Sequence, residues 1–269
     1  MKVILTGSEG FIGRNLKKVL EQVWEVIEID RNNCWELFSW EREQWNDVEC
    51  IFHMGALSDT TEKDPIRINE MNVKYTICLF HIEIAKGIPI KYASSASVYG
   101  NNMFGSPSPM NFYAISKLTI DYWVEDHINE FSHIQGFRFF NVYGDGEEDK
   151  VKRNQSSPVS KFIDQAKTTG KIKVFECSDE FLRDFVHVDD VISIMMDNDK
   201  PSGVYDLGTC NPTSFQEVAE IVAEEYHAEI EEIPFPAHLV GKYQVYTCSS
   251  EDWDHEYKSV KEYVKNSLG

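Results

Sequence analysis

Tyr113 and Lys117 stand four residues apart in the stretch NFYAISK (111–117). On a helix that spacing puts both side chains on one face. A phenol ordinarily ionises near pH ~10, and a neighbouring ammonium favours the phenolate. Such a pair can take a proton from a substrate hydroxyl and return it. The same spacing also arises by chance on helix surfaces, so the rest of the chain must show whether it is used. Ser94, Ser95 and Ser97 precede the pair in ASSASVYG (93–100), directly after the apolar run Ile88–Tyr92. In open α/β sheets ligands bind outside the carboxyl ends of the strands. A strand over 88–92 delivers its serines there, although serines also end strands as plain turn formers.

The elements that must position these groups begin at the first residues, MKVILTGSEGFIGRNLKKVLEQ. Val3–Leu5 is a short apolar run suited to a buried parallel strand. Gly7, Gly10 and Gly13 follow, then a helical pattern with Phe11, Ile12, Leu16, Val19 and Leu20 on one side. Gly7 permits a tight turn, Gly10 a close approach to a pyrophosphate, and Gly13 close packing of helix on strand. The helix N-terminus offers unpaired N–H groups to the phosphate. Strand, glycine turn and helix in this order predict dinucleotide binding. The second strand, Glu25–Ile29, ends at Asp30, an acid placed to accept from ribose hydroxyls, which favours NAD. Arg31 follows and could pair with a 2′-phosphate, which favours NADP. A solvated turn is the plain alternative for both residues, and the choice stays open.

Only residues 31–49 separate this strand from the next, Cys50–His53, too few for two complete parallel crossovers and a strand. We expect one helix of the usual doubly wound unit to be missing, leave open the loss of a strand with it, and expect an exposed adenine side. A long helix is predicted over 65–86. Asn111 is a plausible cap for the helix bearing Tyr113 and Lys117, whose apolar positions are Ile115, Leu118, Ile120, Trp123 and Val124. The fold class is α/β: a doubly wound parallel (Rossmann) sheet over 1–144 and 172–207, with a smaller discontinuous substrate-binding lobe from 145–171 and 208–269.

The chain has 269 residues and 42% hydrophobic content, enough for a sizeable core. Its net charge of −19 repels phosphate backbones and anionic lipid, which argues against nucleic acid or membrane as partner. An anionic substrate needs a local basic pocket. The six cysteines form no Cys-x-x-Cys pair, and the eight histidines show no His-x-His or His-x-x-x-His spacing, so no metal site is expected. No run of ~18 apolar residues occurs, and the start leads straight into a strand. We read a cytoplasmic protein with reduced thiols.

The order of glycine turn, serine-ended strand and Tyr-x-x-x-Lys helix resembles the extended short-chain dehydrogenase/reductase family, the nucleotide-sugar epimerases and dehydratases, over the whole chain. FRFFNVYG (137–144), RDFVHVDDV (183–191) and GVYDLGT (203–209) are similar to further signatures of that family. IFHMGALSDTTEKD (51–64), SFQEVAE (214–220) and above all IPFPAHLVGKYQVYT (233–247) are most like its heptose 6-epimerase branch. Three departures stand out. The segment after Asp30 is short, the C-terminal tail is short, and Cys210 stands where the family has glycine, although a cysteine disfavours φ > 0.

The resemblance implies a nucleotide-sugar substrate, a homo-oligomer, and NADP or NAD as cofactor, NADP slightly favoured. Cofactor contacts would come from Gly7, Gly10, Phe11, Ile12, Gly13, Asp30, Arg31, His53, Gly55, Ala56, Asn72, Tyr113 and Lys117. Tyr113 would move the proton while hydride passes to and from the nicotinamide. Lys117 would favour the phenolate and hold the nicotinamide ribose, Ser95 would bond the reacting oxygen, and Asn72 would orient the lysine. In the heptose branch the sugar is oxidised at C6″ to an aldehyde, which rotates and is reduced again. A second acid/base is expected in the loop after Gly144, DGEEDKVKRNQSSP. Lys150 fits by spacing from Gly144 and Lys152 by spacing from the following helix; a solvated charge run is the alternative. Asn141 and Arg183 resemble pyrophosphate contacts, and Ser58, Thr60, Thr61, Ser94 and Tyr243 sugar contacts. Phe175 would stack on the base or serve simply as core. The family's dehydratases place Asp-Glu after the catalytic hydroxyl residue; here Ser95 is followed by Ala96-Ser97, which disfavours dehydration. Rivals are an epimerase or reductase on another sugar nucleotide, and a degenerate cofactor-sensing relative, which would commonly lack the Tyr/Lys pair.

Overall fold

The computed structural model describes residues 1–102, 105–152, 155–241 and 243–268, the His238 side chain excepted. In chain order the elements are β1 (Lys2–Thr6), α1 (Phe11–Leu20), β2 (Glu25–Ile29), β3 (Val48–His53), α2 (Pro65–Ile68), α3 (Tyr75–Lys86), β4 (Ile90–Ser95), α4 (Phe112–His127) and β5 (Ile134–Phe139). Then follow β6 (Asn141–Tyr143), α5 (Glu148–Lys152), α6 (Pro158–Thr169), β7 (Lys171–Phe175), β8 (Leu182–His187), α7 (Val188–Met196) and β9 (Gly203–Leu207). β10 (Pro212–Ser214), α8 (Phe215–Tyr226), β11 (Glu229–Ile233) and α9 (Val260–Asn266) complete the chain.

Two compact units result. The first holds Met1–Val98, Pro109–Arg138 and Met195–Tyr205; the second holds Tyr99–Ser108, Phe139–Ile194 and Asp206–Gly269. This division differs from the boundaries suggested by the sequence, which kept 139–144 and 172–194 with the nucleotide domain. The reason lies in the strand pairing. β7 pairs with β11, and β8 lies between β10 and β6, so these strands build small sheets of their own.

The first unit is built on a sheet of order β2-β1-β3-β4-β5-β9. β1 pairs parallel with β2 and β3, and β3 parallel with β4. Relative to the usual doubly wound order, the outermost strand on the β2 side is absent, so β2 is the edge. Two short 3₁₀ turns, Cys34–Ser39 and Arg42–Trp45, stand in for the expected helix. They still fill the core: Leu37 is fully buried and Trp45 nearly so, packed with Ile4, Leu79, Phe80 and Tyr92. Between α2 and α3 the helix widens into a π-helical turn over Asn69–Lys74, a feature frequent at functional sites.

The second unit packs α6 against α8 and α9, burying Val159, Phe162, Val218, Val222, Val260 and Val264. Helix α6 begins sharply because Ser157 caps the Ser160 N–H and Pro158 occupies the first helical position.

Candidate active site

The glycine turn is set by contact distances. Gly7 has φ 71°, and a Cβ there would lie 2.6 Å from the Gly55 backbone. A Cβ on Gly13 would lie 2.0 Å from the Gly7 carbonyl oxygen, so α1 approaches β1 as closely as backbone allows. Helix α1 starts at Gly10 without a capping side chain and with no acid in its first turn. Its positive end is therefore left for an anion. The Asp30 carboxylate accepts from the Glu9 N–H (2.9 Å) and the Arg31 N–H (2.7 Å), which fixes it beside the turn. Arg31 itself is exposed. These residues fit a dinucleotide, with Phe11 and Ile12 entering α1 and Ala56 following Gly55 beside Gly7.

His53 is used differently from a polar cofactor contact. It is buried, with Nδ1 2.6 Å from the Thr6 hydroxyl and Nε2 2.8 Å from the Thr76 hydroxyl. Burial, assisted by Lys117, pulls its pKa down to about 3, so the ring is neutral. Both ring nitrogens are taken within the protein.

Strand alternation separates the two serines at the end of β4. Ser94 faces the core and donates to Asp121 (2.9 Å), so its hydroxyl is committed there and not offered to a ligand. Ser95 points the other way, and its side chain lies close enough to the Tyr113 phenol to favour the phenolate. The Asn111 side chain caps α4 by accepting from the Ala114 N–H (2.8 Å), which starts the helix just ahead of Tyr113. Burial raises the Tyr113 pKa, the neighbouring Ser95 side chain opposes the rise, and the Asp121 carboxylate adds to it. The Lys117 ammonium is buried, donates to the Ala93 carbonyl (2.6 Å) and lies 6.0 Å from the Tyr113 ring centre. Burial brings its pKa down from 10.5 to about 8, against the pull of Asp121.

Asn72, in the π-helical turn, holds the backbone of Leu57 from both sides, accepting from its N–H (2.8 Å) and donating to its carbonyl (3.1 Å). It also donates to the Ser116 hydroxyl (3.0 Å), so it braces α4 beside Lys117 without bonding the ammonium. Ser58, Thr60 and Thr61 are exposed in the loop after β3, and the Thr61 hydroxyl is turned back onto Asp59 (2.7 Å).

Asp121 escaped the sequence reading. It is fully buried on α4, four residues after Lys117 and eight after Tyr113, and accepts from Tyr92 (3.1 Å), Ser94 (2.9 Å) and Arg138 (2.8 Å). The signal was an acid at the helical spacing that continues the Tyr113–Lys117 face.

In the second unit, Arg183 on β8 is buried, with its guanidinium 5.5 Å from the Phe215 ring centre and 5.4 Å from that of Tyr243. It donates to the Leu182 carbonyl, and burial lowers its pKa against the influence of Tyr243. Among the described residues no carboxylate pairs with it. A guanidinium in this setting has the chemistry to hold an anion. Asn141 lies on β6, paired in register with Phe185 of β8, and its Oδ1 accepts from the Thr247 hydroxyl at 3.4 Å. Phe175 is half-buried and packs edge-on against Phe235.

The two candidate lysines differ. Lys152 is exposed and pairs with Asp149 (3.6 Å), whereas Lys150 is half-buried. Arg153 and Asn154 of the same loop lie outside the described residues. Glu147, read from sequence as part of a solvated charge run, is instead buried. It accepts from the Ser157 N–H and the Ser157 and Ser160 hydroxyls, each at 2.7 Å, and so ties the two ends of the lysine loop together.

Cys210 does adopt the left-handed conformation, φ 54°. Its N–H is shared between the Asp184 carboxylate (3.0 Å) and the Ser249 hydroxyl (2.9 Å), which holds a conformation the side chain disfavours. Among the described residues no cluster of three metal-ligating side chains occurs, and no helix is long and apolar enough to cross a membrane.

A family model described as the NAD dependent epimerase/dehydratase family matches residues 3–208. The chain belongs to this family. It is similar to the ADP-L-glycero-D-manno-heptose-6-epimerase of Brachyspira hyodysenteriae, at 37% identity over 91% of this chain and 88% of that one. The protein of the same name from Alkalilimnicola ehrlichii is 34% identical, over 91% and 88% of the two chains. The crystal structure of the Helicobacter pylori ADP-L-glycero-D-manno-heptose-6-epimerase superposes with a TM-score of 0.78 at 26% identity, covering 99% of this chain and 94% of that one. The family match and the two heptose epimerase relatives make the protein an NAD-dependent nucleotide-sugar epimerase.

Proposed function

We propose that the protein is an ADP-glycero-manno-heptose 6-epimerase, acting on its nucleotide sugar by transient oxidation at C6″ and return of the hydride. The observation that carries the chemistry is Lys117, seated on the Ala93 carbonyl with its ammonium 6.0 Å from the Tyr113 ring centre, with Ser95 acting on the same phenol. The similarity to the two heptose epimerases supports the choice of sugar.

NAD(P), which the Gly7, Gly10 and Gly13 turn would hold, would supply the hydride acceptor and donor when bound. Tyr113 takes the proton from the sugar hydroxyl as the carbonyl forms and returns it on reduction. Ser95 holds the same oxygen and aligns it with the phenol. Lys117, anchored on Ala93, keeps a positive charge in the buried site and offers its remaining N–H groups to the nicotinamide ribose. Arg183 and Asn141 hold the pyrophosphate, Tyr243 the sugar and Phe175 the base. Lys150, half-buried where Lys152 is exposed, is the better second acid/base on the opposite face. The carboxylate of Asp30, fixed by two backbone N–H groups beside the turn, repels a 2′-phosphate and supports NAD over NADP, against the slight lean of the family resemblance. The exposed Phe112, Ile115 and Tyr122 on α4 suit a homo-oligomer, and free cysteines suit the cytoplasm.

The direct test is incubation with ADP-D-glycero-D-manno-heptose, with the product epimer resolved by chromatography. Turnover of a different sugar nucleotide with none of this one removes the assignment. Tyr113→Phe should abolish turnover while cofactor still binds.

A further inference from the structure

Cys210 and Cys248 lie in the second unit with their Sγ atoms 3.9 Å apart, both half-buried and both free thiols. A disulfide has an S–S length of ~2.05 Å, so a closure of about 2 Å, within reach of side-chain rotation, separates contact from bond. We propose that Cys210 and Cys248 form a reversible disulfide in the folded chain by exchange with a low-molecular-weight disulfide.

The backbone places the two sulfurs in register. The Cys210 N–H donates to Asp184 and Ser249, and the neighbouring Thr209 donates to Asp184 through its N–H and its hydroxyl, both at 2.7 Å. Beside Cys248, Ser249 donates its N–H (2.9 Å) and hydroxyl (2.6 Å) to the same carboxylate. One buried Asp184 thus braces the backbone on both sides of the pair. The glycine expected at position 210 could not offer a sulfur, so the device belongs to this chain rather than to the resemblance.

The exchange balances as follows. The Cys210 thiolate attacks one sulfur of the small disulfide, that S–S bond breaks and one small thiolate leaves. Cys248, deprotonated, then attacks the Cys210 sulfur of the mixed disulfide, the intramolecular bond forms and the second small thiolate leaves. The two protein thiols lose two protons and two electrons, and the small disulfide is reduced to two thiols. Burial, then the hydrogen bond with Cys210, hold the Cys248 thiol up at about 11, so its attack on the mixed disulfide quickens as pH rises. The bond would close the chain from 210 to 248, which spans α8, β11 and the segment bearing Tyr243. That segment already runs beside β8 through the Leu182–Tyr246 bridge.

The test treats the full chain with oxidised glutathione, blocks remaining thiols, and maps peptides by mass without reduction. The expected result is a linked peptide joining Cys210 to Cys248, opened by dithiothreitol, and a Tm raised by about 5–10 °C on linkage. Cys210→Ser and Cys248→Ser should each abolish both. A persistent glutathione adduct on either cysteine, a link to Cys34, Cys50, Cys78 or Cys177, or recovery of both thiols free would overturn the proposal. The wild-type map decides even where a serine variant folds poorly.

Discussion

Asp121→Asn separates electrostatics from packing at the base of the site. The wild-type carboxylate is fully buried and paired with Arg138 at 2.8 Å, and the Arg138 side chain is only 13% exposed. Removing one partner of a buried pair leaves an uncompensated charge and costs about 3–5 kcal/mol. Asparagine keeps an acceptor for Tyr92 or Ser94, and the exposed Glu125 stands 3.9 Å from the guanidinium, so the low end applies. About 3 kcal/mol corresponds to a fall of about 6–12 °C in Tm for a chain of this size. A second effect follows from Lys117. Asp121 raises the Lys117 pKa against burial, which has brought it to about 8. Without the carboxylate the ammonium loses its proton at lower pH. Activity that needs this charge falls as pH rises through the Lys117 pKa, so the alkaline limb of kcat/KM should move down by roughly one pH unit. Thermal unfolding measures the first effect, and a pH–rate profile of the cofactor-loaded enzyme the second. Arg138→Met in the Asp121→Asn background should restore much of the stability but leave the limb shifted. A single variant that loses less than ~0.5 kcal/mol, or an alkaline limb that stays put, refutes the reasoning.

Further outcomes test other parts of the molecule. Glu83 on α3 is buried, neither carboxylate oxygen has a hydrogen-bond partner among the described residues, and burial pushes its pKa up. Its folded state binds the proton more tightly, so its share of stability is complete below the ordinary value of 4.5 and is lost as pH rises from there through the folded pKa. Glu83→Leu should therefore flatten stability against pH and add about 1–3 kcal/mol near neutrality, by denaturant melts across pH. Arg183→Lys should raise KM for the sugar nucleotide about 10–100-fold with kcat nearly kept, since one ammonium cannot replace a two-pronged guanidinium. An unchanged KM would remove Arg183 from the pyrophosphate site. Glu147→Ala frees three bonds from Ser157 and Ser160; amide exchange across 148–152 and 155–157 should quicken by about tenfold or more while the remaining helices keep their protection.

The first unit was legible because its signals are local. A glycine turn between an apolar strand and an amphipathic helix needs no distant partner to be recognised, and the short 31–49 segment foretold the absent helix by chain length alone. Asp121 and Glu147 were hidden for the opposite reason: their roles depend on residues 17 and 10 positions away, Arg138 and Ser157, which one sequence does not pair. Ser94 and His53 carried chemically apt side chains that tertiary packing spent on Asp121, Thr6 and Thr76. The lobe boundaries moved because strand partners, not strand sequences, decide which sheet a segment joins.

The shortened crossover leaves β2 as a sheet edge, and such an edge can recruit a strand from a neighbouring molecule. Glu25 and Glu28 are both exposed on it, Lys17 pairs with Glu28 at 2.5 Å, and the Asn33 side chain occupies the Glu28 carbonyl at 3.2 Å. Charge and a side-chain amide thus guard the backbone that a further strand would have covered. The economy of chain in this region is matched by a defence against aggregation, and residues with no part in the reaction hold that defence in place.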